Sequence, residues 1–257
     1  MGRADPVRLA NISTRLPIGA GDNVLIAGFI ITGNQSKRVL LRGIGPTLAV
    51  NENLADPLLE LHDSSGGLVG INDNWRDDQQ DELQATQIPP ANDYEAAIVR
   101  ALDPAAYTAI LKGEGNTTGI GLVELYDLDL GADAKLANIS TRGFVNQGDN
   151  VLIGGTIVVG NGSTKVIFRA LGPSLQGVAN ALQDPTLELH DGQGNVIAVN
   201  DNWKDTQQAE IEATQIPPPD DRESAIVREL TPGVYTAVVR GKDDSTGVAL
   251  VEAYQLD

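Results

Sequence analysis

The heptapeptide Leu9-Ala10-Asn11-Ile12-Ser13-Thr14-Arg15 returns unchanged as Leu136-Ala137-Asn138-Ile139-Ser140-Thr141-Arg142. Working outward, Gly21-Asp22-Asn23-Val24-Leu25-Ile26 returns from Gly148, and Gly45-Pro46 returns as Gly172-Pro173, all at an offset of 127 residues. After a one-residue insertion near Val178 the offset becomes 128. It then holds through Leu59-Glu60-Leu61-His62-Asp63 (from Leu187), Asn72-Asp73-Asn74-Trp75 (from Asn200), Ala97-Ile98-Val99-Arg100 (from Ala225) and Leu122-Val123-Glu124 (from Leu250). Self-similarity at this period means duplication of a whole domain, because a unit of that length can close its own core, which a short solenoid repeat cannot. The expected domains are 7–130 and 134–257. Their junction, Asp127 to Ala134, is short and not Gly/Ser-rich, so the two are expected to be held close.

Each copy alternates apolar and polar residues in short β-branched runs bounded by Gly, Pro, Asn and Asp. This predicts an all-β chain of two tandem jelly-roll-like antiparallel β-sandwich domains. In the first copy strands are expected over 7–14, 23–32, 38–42, 58–62, 68–71, 95–101, 106–112 and 119–128, about eight per domain. Period two turns Leu59 and Leu61 inward and Glu60 and His62 outward. One segment departs from the pattern. Residues 77–86 are rich in helix formers, and Asp77 with Gln80 has capping-box spacing, repeated by Asp205 and Gln208, so one short helix per domain is expected, ended by Pro89-Pro90 and by Pro217 to Pro219.

The 257 residues carry 35 acidic and 18 basic side chains, a formal net charge of −17. Such a field repels nucleic acid and anionic membranes, so neither is an expected partner, and cations are. No apolar run is long enough to insert in a membrane as a helix. Cysteine is absent, which removes disulfides, thiolate metal sites and a thiol nucleophile. Residues 1–6 show no hydrophobic leader, and an excised piece of a longer exported chain is the expected origin.

Two sets of residues invite a ligand. Asp63, Asn72, Asp73, Asn74 and Asp77, with their twins Asp191, Asn200, Asp201, Asn202 and Asp205, supply the loop oxygens that calcium takes six to eight at a time. The same residue types also cap turns and helix starts. Trp75 and Trp203 are the only tryptophans. Each either stacks on a sugar ring, making the chain a carbohydrate-binding module, or plugs the end of its sandwich beneath the short helix. His62 and His190, also matched, stand beside Asp63 and Asp191, with Ser13 and Ser140 elsewhere. Neighbouring strand residues face opposite ways, and no nucleophile elbow is present, so a hydrolytic triad is not expected. Glu124 and Glu252 lie in apolar strands and need partners, for which Arg42 and Arg169 are the candidates.

The runs Asn138–Arg142, Gly148–Gly155, Arg169–Leu175, Asp184–Asp191, Asn200–Trp203, Pro232–Gly241 and Gly247–Asp257 together resemble a repeat module of large exported bacterial proteins. More distantly they are similar to pre-peptidase C-terminal β-sandwich domains, accessory modules of secreted enzymes, some of which bind calcium or polymeric substrates. The resemblance implies a non-enzymatic role outside the cell, secreted or at the bacterial surface: adhesion, targeting or matrix structure. Its partner would be an extracellular polymer, glycan or protein. A further alternative is self-association into a filament or surface layer, with the strand after Val7 and the last strand as donor and acceptor.

Overall fold

The computed structural model describes residues 7–21, 23–148 and 150–256, so the reading of residues 1–6 concerns a segment outside them. The described chain is all-β, with sixteen strands and two short α-helices. None of these helices is long and apolar enough to cross a membrane. It divides into two compact units, residues 11–137 and residues 138–256, the second of which also contains residues 7–10.

In the unit 11–137 the strands are β1 (Arg8–Ile18), β2 (Leu25–Gly33), β3 (Lys37–Ile44), β4 (Pro57–Asp63), β5 (Leu68–Asn72), β6 (Ala96–Leu102), β7 (Ala106–Gly113) and β8 (Gly119–Asp127). They pair antiparallel along two runs. One runs β1-β8-β3-β6 and the other β2-β7-β4-β5. The ladders meet through their apolar faces. A Cβ added to Gly43 on β3 would lie 2.6 Å from Leu111 of β7, and one added to Gly121 on β8 would lie 3.0 Å from the same leucine. Glycine is what lets the backbones approach so closely. Leu59 and Leu61 are fully buried on β4, as period two requires, while Glu60 and His62 face outward.

The second unit repeats this plan with β9 (Ala134–Val145), β10 (Leu152–Val159), β11 (Thr164–Leu171), β12 (Pro185–His190), β13 (Val196–Asn200), β14 (Ser224–Leu230), β15 (Gly233–Gly241) and β16 (Gly247–Gln255). Its ladders run β9-β16-β11-β14 and β10-β15-β12-β13. The last strand, β16, is therefore hydrogen-bonded on both sides and offers no free edge for self-association.

The helices are shorter than the sequence suggests: α1 is Gln80–Ala85 and α2 is Gln208–Ala213. The capping box does not form. The N-cap residues are Gln79 and Gln207, neither making a side-chain cap, because both side-chain amides are spent on the neighbouring strand. Gln79 donates Nε2–H to the Val99 carbonyl at 2.9 Å and accepts the Val99 N–H at 3.2 Å, so one glutamine imitates a paired strand along the open edge of β6. Gln207 does the same for Val227 of β14.

Candidate functional site

Beneath each helix lies a small apolar cluster. In the first unit Trp75 packs with Leu40, Leu83, Ala97 and Val99; in the second, Trp203 packs with Ile167, Ile211, Ala225 and Val227. The tryptophans are 2% and 5% exposed. Their indole N–H groups donate to the carbonyls of Asn92 (3.1 Å) and Asp220 (3.2 Å), and Arg76 and Lys204 lie over the rings. A sugar needs an open aromatic face. The structure presents none here, and both rings serve as plugs.

Beside each tryptophan a charged group is held on the same ladder. Arg42 stands directly across from Glu124, as expected of the pair, and donates to it from two nitrogens. It also donates to the Ile88 carbonyl at 2.9 Å and to the Tyr126 hydroxyl at 3.1 Å. Tyr126 in turn donates to Glu124 at 2.8 Å. Burial, then the adjacent Glu124 carboxylate, pushes the Tyr126 phenol up to about 12. Arg169, Glu252 and Tyr254 repeat the arrangement, with Tyr254 likewise raised to about 12, mainly by burial. Arg42 thus ties the loop after α1 to the sheet, and its twin ties the loop after α2.

The acidic and amide residues disperse into separate tasks. Asp63 Oδ1 accepts from Ser65 Oγ, the Ser65 N–H and the Gly67 N–H; these bonds hold its carboxyl below the usual range. Asp191 closes the matching turn through Asn195 and Gln193 and is likewise lowered. Asn72 accepts the Ala97 N–H at 2.9 Å and Asn200 the Ala225 N–H at 2.9 Å, each closing part of an open strand edge. The carbonyls of Asn74 and Asn202 receive the side chains of Asn72 and Asn200. Asp205 accepts from the Asn202 amide at 3.0 Å, and Asp77 lies exposed. Among the described residues no group of three or more His, Cys, Asp or Glu is arranged to hold a metal.

The Asp56 carboxyl is raised, first by burial, then by the charge of Asp73 and then by that of Glu114. In the second unit the position of Glu114 is held by Lys242, whose ammonium lies 2.7 Å from Asp201 and 3.7 Å from Asp184.

His62 places Nε2 3.0 Å from Glu60 and Nδ1 3.2 Å from the Gly66 carbonyl; His190 matches it with Glu188 and Gly194. Ser13 lies opposite Glu124 on the other ladder, so Ser, His and Asp do not converge. A groove of about 320 Å³ opens between β5 and β6, lined by Ile71, Asp78, Gln79, Ile98 and Arg100 among others.

Three features escape a reading by motif. Glu95 and Glu223 are fully buried. The first accepts the Thr47 N–H and hydroxyl and the Asn92 N–H, the second the Gly172 and Ser174 N–H groups, the Ser174 hydroxyl and the Asp220 N–H. Their exact recurrence in both copies is the signal that would have found them, and the same holds for Gln79 and Gln207. The third, a fully buried Lys37–Asp127 ion pair at 2.8 Å, is marked by the joint change of both positions in the second copy, to Thr164 and Gln255.

No family profile matches the chain, and no curated protein matches it. Among solved structures, a chain of the Sulfolobus turreted icosahedral virus aligns at TM-score 0.26 and 10% identity over 95% of this chain and 90% of its own. A DUF4785-family protein of Legionella pneumophila aligns at TM-score 0.24 and 9% identity over 98% of this chain and 84% of its own.

Proposed function

We propose that the chain is a non-enzymatic binding or structural module that acts outside the cell, as part of a larger exported protein, and presents one working surface twice. The observation that carries this reading is a row in matched register on the second ladder of each unit that reaches solvent at its edge strand. In the first it runs Ile26, Ile110, Glu60, Ile71 across neighbouring strands; in the second it runs Ile153, Val238, Glu188, Val199, with Val238 buried. Each row ends on an edge strand bearing exposed apolar side chains, Leu68 (57%) and Ile71 (48%) on β5, Val196 (52%) and Val199 (57%) on β13. By contrast, the buried polar clusters of both units hold loops in place. Reading each unit as a jelly-roll sandwich is supported by its strand order, β1-β8-β3-β6 packed on β2-β7-β4-β5 and the same order in the second copy. Two equal patches on one chain engage a repetitive polymer with an effective concentration that a single patch lacks.

The test is retention on insoluble bacterial cell-wall material and on insoluble polysaccharide. Replacing Leu68 and Ile71 by Ser, or Val196 and Val199 by Ser, should weaken apparent affinity about 100-fold by loss of avidity, and replacing all four should abolish it. A fourfold variant that is retained as firmly as the parent chain sinks the reading. Running the same assay with calcium and with chelator asks whether an ion contributes to the contact.

A further inference from the structure

His62 and His190 are the only histidines of the chain, and they stand at matched places on β4 and β12. Each ring is held between two groups that accept. His62 puts Nδ1 3.2 Å from the Gly66 carbonyl and Nε2 3.0 Å from Glu60 Oε2; His190 puts Nδ1 3.3 Å from the Gly194 carbonyl and Nε2 3.1 Å from Glu188 Oε2. A carbonyl oxygen never donates, and neither does an ionised carboxylate. The Lys112 ammonium holds the Glu60 carboxyl below its ordinary range, ahead of burial, which opposes it, and of the His62 ring, which adds to it. A neutral imidazole carries one N–H and an imidazolium two, so both bonds are made together only when the ring is the cation. The charged groups around each ring are few. Beside His62 stand Glu60 and Asp63 along the chain, and Lys112 of β7, 2.6 Å from Glu60; the residues paired with His62, Leu68 of β5 and Thr108 of β7, are neutral. Beside His190 stand Glu188 and Asp191, and its partners Val196 and Thr236 are neutral. Arg240, which takes the place of Lys112, donates instead to the Gly148 carbonyl at 2.7 Å. Among the described residues His190 is thus the one cation paired with Glu188, whose side chain is 34% exposed against 18% for Glu60.

We propose that these two histidines make the polymer-binding face of each unit proton-dependent. Protonated, each ring neutralises the glutamate inside its row, Glu60 between Ile110 and Ile71, Glu188 between Val238 and Val199. When the ring gives up a proton, one of its two bonds is lost, and the row is left with a carboxylate charge that an apolar contact must desolvate. Docking of an uncharged polymer then weakens as pH rises through the range in which histidine titrates. Lys112 keeps Glu60 paired whatever the state of His62, so the second copy is the more sensitive of the two. The inference rests on the polymer-binding reading proposed above and adds the regulation of that same face.

With two histidines in the full chain, the ring nitrogen signals in a magnetic resonance spectrum are assigned by comparison with His62→Gln and His190→Gln. Between about pH 5.5 and about pH 8 both rings should pass from two N–H groups to one. Retention on insoluble neutral polysaccharide, measured at the two ends of that range, should be about tenfold weaker at the higher pH. His190→Gln should bring retention at the lower pH down close to the parent's value at the higher one, and His62→Gln should change it less. His190→Lys, which keeps a cation beside Glu188, should hold retention up at the higher pH. Rings whose N–H count does not change over the range overturn the proposal. Retention that is equal at both ends also overturns it, and leaves the binding reading intact. A His190→Gln chain that keeps the parent's full pH dependence overturns it as well. A parent chain retained at neither pH ends the binding reading, and the regulation with it.

Discussion

The two units have the same strands, the same ladders, the same buried tryptophan and glutamate and the same half-buried arginine, yet differ in how three matched places are filled. Where the first buries Lys37 against Asp127, with the ammonium also donating to the Asp129 carbonyl at 2.7 Å, the second buries Thr164 against Gln255, with the amide donating to the Val7 carbonyl. Where the first has Gly43, Gly121 and Leu111 at the meeting of its ladders, the second has Ala170, Ala249 and Val239, all fully buried. Two methyl groups are added on one face and a methylene is removed from the other. Where the first has Asp56, Asp73 and Glu114, the second inserts Lys242. The lesson is that interiors change in compensated sets: an ion pair is replaced whole by a neutral hydrogen-bonded pair, and a close-packed volume is redistributed. At the partly buried acidic end, the exposed position of Glu114 tolerates a change of sign, since solvent screens a charge there.

This comparison breaks first at the buried pair. Lys37→Met alone leaves Asp127 charged and unpaired in the interior, and should cost the first unit about 3–5 kcal/mol. Lys37→Thr with Asp127→Gln, the second unit's own solution, should recover most of that loss. Denaturant unfolding followed by Trp75 fluorescence in a Trp203→Phe background reads the first unit separately; equal losses in the single and double variants would show that the two pairs are not equivalent.

Volume comes next. Gly43→Ala drives a methyl into Leu111 and should cost about 1–3 kcal/mol by overpacking. Adding Leu111→Val should relieve most of it, as Ala170 and Val239 do in the second unit. A triple variant with Gly121→Ala that unfolds no more easily than the parent confirms the exchange of volume; additive losses refute it.

The smallest effect is electrostatic. Asp56 is raised above its unfolded value of 3.8 by burial, Asp73 and Glu114. A carboxyl raised by folding binds more protons in the folded state, so its contribution grows as pH falls through the folded value and is lost as pH rises above it. Glu114→Lys should stabilise the first unit by less than about 1 kcal/mol at neutral pH and flatten its pH dependence over the acid range above 3.8, through which the raised Asp56 carboxyl titrates. Thermal unfolding across that range checks both, and a Glu114→Lys curve parallel to that of the parent would show that Glu114 does not act on Asp56.

Much of this was legible in one dimension. The repeat, the all-β character, the inward leucines of β4 and the pairing of Arg42 with Glu124 follow from spacing, because strand periodicity is local and a charged residue in an apolar strand needs a cross-strand partner. The roles of Asn72, Asp63 and Gln79 did not follow. Each side chain had several local uses, and the one adopted depends on a strand edge supplied by a distant segment. Gln79 falls in the stretch of helix formers yet stands just before the helix as its N-cap, its amide satisfying the open edge of β6.

The amino-acid sequence alone determined that there are two copies, that they are built of strands, and which strand residues face inward, since duplication and period two are properties of order along the chain. Tertiary structure decided that the tryptophans plug rather than stack, and that the loop oxygens close turns and edges. It also decided that residues 7–10 complete the unit 138–256 while 134–137 complete the other, because these two short apolar-polar stretches are alike in pattern and nothing local tells which unit each joins.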